Sequence, residues 1–185
     1  MGRRVQISVV GNNSDSCTQV AYDAAYRVGR AIAAQGGVVV CGGLGGVMEA
    51  ASKGARDAGG LCIGIIPSAD SSQANKYCDF VIATGLGKSR NFLVAYSADA
   101  VVVVGGGAGT LIEAAAAYQA SKPVVAVKGT GGVADAWAGK YLDDRRTKRI
   151  MEASTPEDAV KMAMSSTGQE GGKSRKRKSE LVSKP

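Results

Sequence analysis

Hydrophobic residues fall along this chain in two rhythms. Short runs at Val5–Val10, Val38–Cys41, Leu61–Ile66, Phe80–Ala83, Ala100–Val104, Pro123–Val127 and, more weakly, Arg149–Ala153 are mostly continuous in Val and Ile rather than alternating. Strands buried on both faces read this way, which predicts a parallel sheet covered by helices on each side. Between the runs, Val20, Ala21, Ala24, Val28, Ala31 and Ile32 keep the spacing of one helix face. Gly36-Gly37 and Gly59-Gly60 stop the first two helices, and STPED at 154–158 opens the last, with Thr155 as its cap and Pro156 in its first turn. The pattern predicts one doubly wound α/β domain of about seven parallel strands over residues 1–166. The remainder, 167–185, has no apolar periodicity and reads as a disordered basic tail.

Composition sharpens this picture in three places. The chain has 26 glycines and only 2 phenylalanines, so close backbone packing is expected in place of an aromatic core. It has no histidine, which removes Ser-His-Asp and Cys-His nucleophilic catalysis and every histidine-containing metal site. Its four cysteines, Cys17, Cys41, Cys62 and Cys78, form no CxxC pair. Cys41 and Cys62 lie in apolar runs where a reduced thiol packs as a small hydrophobe, so no metal site is predicted.

The net charge of +7 is concentrated at one end, because residues 165–185 carry +4 and leave +3 for the body. The KSRKRKS segment could contact nucleic acid by charge, but without aromatic stacking residues beside it a solvated terminus is the favoured reading. No apolar run approaches the ~18 residues of a membrane span. MGRRVQISVVG is too short and strand-like for a signal peptide. The expectation is a cytoplasmic protein with no membrane contact.

Candidate chemistry gathers where strands hand over to helices. In open α/β sheets, ligands sit beyond the carboxyl ends of the strands, and glycines there let bare backbone approach an anion. Three such junctions are polar or glycine-rich: VGNNSDS, CGGLGGVME and VGGGAGTLIE. They nominate Gly11 and Asn12, then Gly42, Gly43, Gly45 and Gly46, then Gly106, Gly107, Gly109 and Thr110 as the walls of one phosphate-binding cleft. None matches the P-loop or the dinucleotide-binding fingerprint, so neither ATP hydrolysis nor NAD chemistry is favoured. Thr110 and Glu113 are also spaced as a capping box, in which the threonine oxygen accepts from the Glu113 N–H.

The order of GGxxGVM (42–48), an arginine on a short helix, and GGxGTxxE (106–113) resembles the Lonely Guy (LOG) superfamily over nearly all of residues 3–165. The resemblance implies a Rossmann-like sheet, a nucleotide-type ligand site and assembly as a homodimer or homotetramer, to which the alanine-rich stretch LIEAAAAYQA would lend close-packing faces. In the enzymes of that superfamily an arginine and a glutamate cleave the base from a nucleoside 5′-monophosphate. By position they would be Arg90 in GKSRN and Glu113, acting with no further cofactor. Gly87 stands where those enzymes have Met, Asn91 where they have Lys, Gly105 where they have Pro, and Glu49 where they have Gly. These departures, with KGTGG at 128–132 and KYLDDRR at 140–146, bring the chain nearer to a branch that resembles molybdenum-cofactor carrier proteins. That branch implies a bound phosphorylated pterin and no turnover. Two readings therefore stand, a phosphoribohydrolase and a carrier. The lysine decarboxylase label often attached to such sequences finds no Schiff-base lysine here.

Overall fold

The computed structural model describes residues 2–145 and 148–167. Its elements run β1 (Gln6–Gly11), α1 (Gln19–Ala34), β2 (Val38–Cys41), α2 (Val47–Asp57), β3 (Leu61–Ile66), β4 (Phe80–Ala83), α3 (Asn91–Tyr96), β5 (Ala100–Val104), α4 (Ala108–Gln119), β6 (Val124–Val127), α5 (Gly132–Trp137) and β7 (Met151–Ala153). A sixth helix, α6, covers 156–167. The seven strands form one sheet in the order β4-β3-β2-β1-β5-β6-β7. All neighbouring pairs are parallel. The predicted Rossmann-like α/β architecture is the one observed.

The continuous Val runs are explained by the two layers that cover the sheet. In β5, Ala100, Val102 and Val104 pack into the core under α1, α2 and α6, while Val101 and Val103 pack under α3, α4 and α5. Successive side chains point to opposite faces, and both faces are dry, so no position along the strand favours a polar residue. Each buried Val contributes about 1.5–2 kcal/mol. Two glycines bring α1 and α2 together: a Cβ on Gly29 would stand 2.1 Å from the Ala51 carbonyl oxygen, and one on Gly54 would stand 2.0 Å from that of Tyr26.

Boundaries differ from the predicted ones by a residue or two. Val20 is 60% exposed, because the buried row of α1 starts one residue later, at Ala21, and continues through Ala25, Val28 and Ile32. Thr155 caps α6 as predicted, accepting from the Asp158 N–H at 3.1 Å while its hydroxyl donates to the Asp158 carboxylate at 2.7 Å. The alanines of α4 at 114, 116 and 117 are buried within this chain, so they supply no outward face. No helix among the described residues is long and apolar enough to cross a membrane. Apart from Thr167, the predicted basic tail lies outside the described residues, and with it the nucleic-acid contact assigned to KSRKRKS.

Candidate functional site

From β1 the chain winds to β2 on one side, and β5 joins β1 on the other. The carboxyl ends of β1 and β5 are thus the switch point at which doubly wound sheets open a crevice. A cavity of about 290 Å³ occupies that point. Its walls are the end of β1 at Val9 to Asn13, the turn after β2 at Gly42, the start of α4 at Gly107 to Thr110, and the side chains of Met48, Arg90, Asn91 and Glu113, with Ser16 beside Asn13. The volume is near the lower end for small-molecule sites, ~300–1,000 Å³, and suits one small ligand.

Asn12 ties the three predicted loops together. Its carbonyl accepts the Val47 N–H at 2.9 Å, its Oδ1 accepts the Gly106 N–H at 2.6 Å, and its Nδ2 donates to Ser16 Oγ at 3.2 Å. A side chain on Gly105 would strike Asn12 Oδ1 at 2.3 Å, and one on Gly46, where φ is +70°, would strike the Asn12 carbonyl oxygen at 2.5 Å. The Gly105 N–H also donates to the buried Thr130 Oγ1 at 2.8 Å, so the KGTGG segment supports the loop from behind.

At the start of α4 the structure corrects one expectation. The N-cap is Gly107, which places Thr110 at the third helical position and Glu113 inside the helix. The capping box does not form, because the chain enters the helix two residues before the threonine. Gly107 has open space where a side chain would be, and Gly109 has only Asn91 Nδ2 nearby, at 3.4 Å. The first N–H groups of a helix have no intrahelical partner and carry partial positive charge, so this end of α4 is suited to an anion.

Arg90 ends the short 3-10 turn Gly87–Arg90 that leads into α3. Its guanidinium donates to the Gly42 carbonyl at 3.0 Å and to Asn91 Oδ1 at 2.9 Å, and its buried Nε has no partner. A Cβ on Gly42 would lie 2.5 Å from Arg90 Nη2, so glycine is required there for the arginine to reach its place. Glu113 lies 3.5 Å from Arg90 Nη1, and each residue is only 6% exposed. Burial outweighs the attraction of Arg90 and pushes the Glu113 carboxyl up to about 8. Burial thus favours the protonated form of Glu113. Among the described residues, Arg90 and Glu113 are the only ionisable side chains in the cavity wall.

Of the residues nominated from sequence, Gly11, Asn12, Gly42, Arg90, Gly107, Gly109, Thr110 and Glu113 meet around this cavity. Gly43, Gly45, Gly46 and Gly106 do not line it. Three of those four have positive φ: Gly43 (+70°), Gly46 (+70°) and Gly106 (+100°). Gly43 would place a side chain 2.5 Å from Ile66 Cγ2, and Gly106 one 2.5 Å from Thr110 Cβ. The nominations passed over Asn13, Ser16, Met48 and Asn91. Their signal was position, in the polar loop after β1 and within one turn of a nominated residue. Lys128 pairs with Glu152 at 3.0 Å and Arg145 with Asp143, both away from the cavity wall.

A seven-stranded parallel sheet with a small cleft at its switch point defines a Rossmann-like α/β protein of the ligand-binding type. The sequence profile of the SLOG cluster4 family matches residues 4–160, and the chain belongs to that family. Among solved structures it is similar to TM1055, with 38% identity and a TM-score of 0.80, over 87% of this chain and 99% of that one. It is also similar to the molybdenum cofactor binding protein of Rippkaea orientalis, with 34% identity and a TM-score of 0.78, over 88% of this chain and 97% of the other. The molybdenum cofactor carrier protein of Chlamydomonas reinhardtii is 32% identical with a TM-score of 0.76, over 88% of this chain and 98% of its own.

Proposed function

We propose that this protein binds a small phosphorylated ligand of the pterin class and holds it without turnover, as a carrier of molybdenum cofactor or a closely related compound. The observation that carries this reading is the Arg90 guanidinium in the cavity wall together with the open N-terminus of α4 at Gly107 and Gly109. A protonated Glu113 leaves Arg90 uncompensated beside the N-terminus of α4, so a phosphate group there would meet one full and one partial positive charge. Gly107 and Gly109 leave room for its oxygens. The likeness to two proteins named for molybdenum cofactor points to the same class of ligand.

A second reading has one specific observation in its favour. Arg90 and Glu113 occupy one cavity, and a carboxyl with a pKa near 8 can act as a general acid toward a departing base. Under this reading the ligand is a nucleoside 5′-monophosphate and the reaction is hydrolysis of its N-glycosidic bond. The carrier reading is preferred because a protonated carboxyl cannot stabilise a cationic sugar by its charge.

Incubating the protein with nucleoside 5′-monophosphates, and separately with a phosphorylated pterin, distinguishes the two. The expected result is intact pterin recovered in the protein fraction and no free base. Base released by the parent and lost in Glu113→Gln would overturn the carrier reading. We further infer self-association, because Phe80 and Ile82 on edge strand β4, Leu86, and Phe92, Leu93 and Tyr96 on α3 are all 38–57% exposed. Sedimentation analysis of the parent and of Phe92→Glu tests this. A monomeric parent would rule it out.

A further inference from the structure

Three of the four cysteines converge at a point one residue from the cavity wall. Cys41 ends β2, Cys62 lies in β3, and Cys78 precedes β4. Their Sγ atoms all lie within 4.8 Å of one another, and those of Cys41 and Cys62 are 3.8 Å apart. The hydroxyl of Ser52 on α2 joins them, with Oγ 3.4 Å from Cys41 Sγ, 3.2 Å from Cys62 Sγ and 3.8 Å from Cys78 Sγ. Cys41, Cys62 and Ser52 are fully buried, and Cys78 is half-buried.

We propose that Cys41, Cys62 and Cys78, with Ser52 Oγ as a neutral fourth donor, form a tetrahedral site for the thiophilic cation Zn²⁺. With Zn–S bonds of about 2.3 Å, a tetrahedron has donor-to-donor edges of about 3.7 Å. Four of the six edges here already measure 3.2 to 3.8 Å. The remaining two, from Cys78 to Cys41 and to Cys62, are no longer than 4.8 Å and close by a movement of Cys78, which lies in the loop before β4. On binding, three S–H protons leave to solvent and three Zn–S bonds form. Ser52 keeps its proton, which it already donates to the Met48 carbonyl at 2.8 Å, and coordinates through a lone pair.

The resulting complex carries one net negative charge. The Gly43 N–H, which donates to Cys41 Sγ at 3.3 Å, offsets part of it. A d¹⁰ cation with soft donors fits this set, whereas the oxygen-seeking Mg²⁺ and Ca²⁺ do not. The site also touches the cavity mechanically. Cys41 leads into Gly42, whose carbonyl anchors Arg90, and into Gly43, whose carbonyl accepts the Asn75 N–H at 2.8 Å. A metal held here would stiffen that turn. The proposal is independent of which ligand the cavity takes.

The test uses the full chain, reduced, metal-free and handled without oxygen. Titration of Zn²⁺ against a chromophoric chelator should give one ion per chain. Co²⁺ used as a spectroscopic probe should show thiolate charge transfer and the intense d–d bands of a tetrahedral ion. Cys62→Ser and Cys78→Ser should each weaken Zn²⁺ at least about 100-fold, Ser52→Ala should shift the Co²⁺ bands, and Cys17→Ser should change nothing. Circular dichroism checks each fold; if Cys62→Ser does not fold, the half-buried Cys78→Ser carries the comparison. Absence of Zn²⁺ uptake by the reduced parent would overturn the proposal. Uptake unaffected by the cysteine substitutions, or uptake of Cu⁺ alone, would do the same.

Discussion

The loop after β2 and the loop after β5 are built from nearly the same letters, GGLGG and GGGAG, and each starts a helix at the same edge of the sheet. Gly105 and Gly106 also make room for Asn12 and Thr110, but the glycines where the two helices begin serve different ends. At the start of α2, Gly46 makes room for the backbone of Asn12 and Asn13, and the Val47 N–H is already bonded to the Asn12 carbonyl. At the start of α4, Gly107 has open space where a side chain would be, Gly109 meets only Asn91 Nδ2, and the helix end opens on the cavity. Glycines in such loops therefore divide, one by one, into those that accommodate the protein's own atoms and those that leave open space at the cavity. Composition does not separate the two, whereas the positions of neighbouring atoms do.

Substitutions can break this contrast, beginning with the loop after β2. Gly46→Ala forces a side chain into φ +70° and against the Asn12 carbonyl oxygen at 2.5 Å. The expected loss is about 2–4 kcal/mol of stability in urea unfolding. Next comes Arg90→Ala, which should weaken a phosphorylated ligand by roughly 30- to 100-fold in calorimetry, the value of a charge-assisted contact of about 2–3 kcal/mol. An unchanged affinity would mean that the charge of the cavity is not what the ligand reads.

The third effect is a pH dependence. With Glu113 titrating at about 8, ionisation neutralises the cavity, and affinity for an anion should fall about tenfold between pH 7 and 9. Glu113→Gln should flatten that profile. The same carboxyl stands above its ordinary 4.5 in the folded chain. Its favourable contribution to stability is complete below about pH 4.5 and is lost as pH rises through about 8, at ~1.4 kcal/mol per pKa unit. Thermal melts across that window should slope downward for the parent and be flatter for Glu113→Gln. The smallest expected effect sharpens the contrast from the other side. Gly107→Ala meets open space at an ordinary φ, so stability should move by under about 0.5 kcal/mol, while ligand affinity drops several-fold because the methyl group enters the cavity.

The sequence was legible wherever a property belongs to a stretch of chain. Continuous Val and Ile runs located the five inner strands, β1, β2, β3, β5 and β6, within a residue or two, because a strand covered on both faces is written that way; the edge strands β4 (FVIA) and β7 (MEA) are partly exposed and carry the weaker signal. Thr155 announced the last helix because a cap is a contact between near neighbours. The Arg90 and Glu113 pairing came from a resemblance in spacing, not from any local signal, since 23 positions separate them. Where local reasoning faltered, tertiary packing had intervened. Thr110 and Glu113 satisfy the spacing of a capping box, yet Asn12 Oδ1 holds the Gly106 N–H and the helix begins earlier, at Ala108 with Gly107 as its cap.

What the sequence determined by itself was therefore the parallel, doubly wound sheet and the set of loops at its carboxyl edge, because periodicity and helix punctuation are local and repeat along the chain. Which glycines face a ligand, how far burial raises the Glu113 carboxyl, and the meeting of Cys41, Cys62 and Cys78 around Ser52 were decided only by the tertiary structure. Each depends on distances between residues 10 or more positions apart, and those distances exist only once the sheet has set the strands side by side.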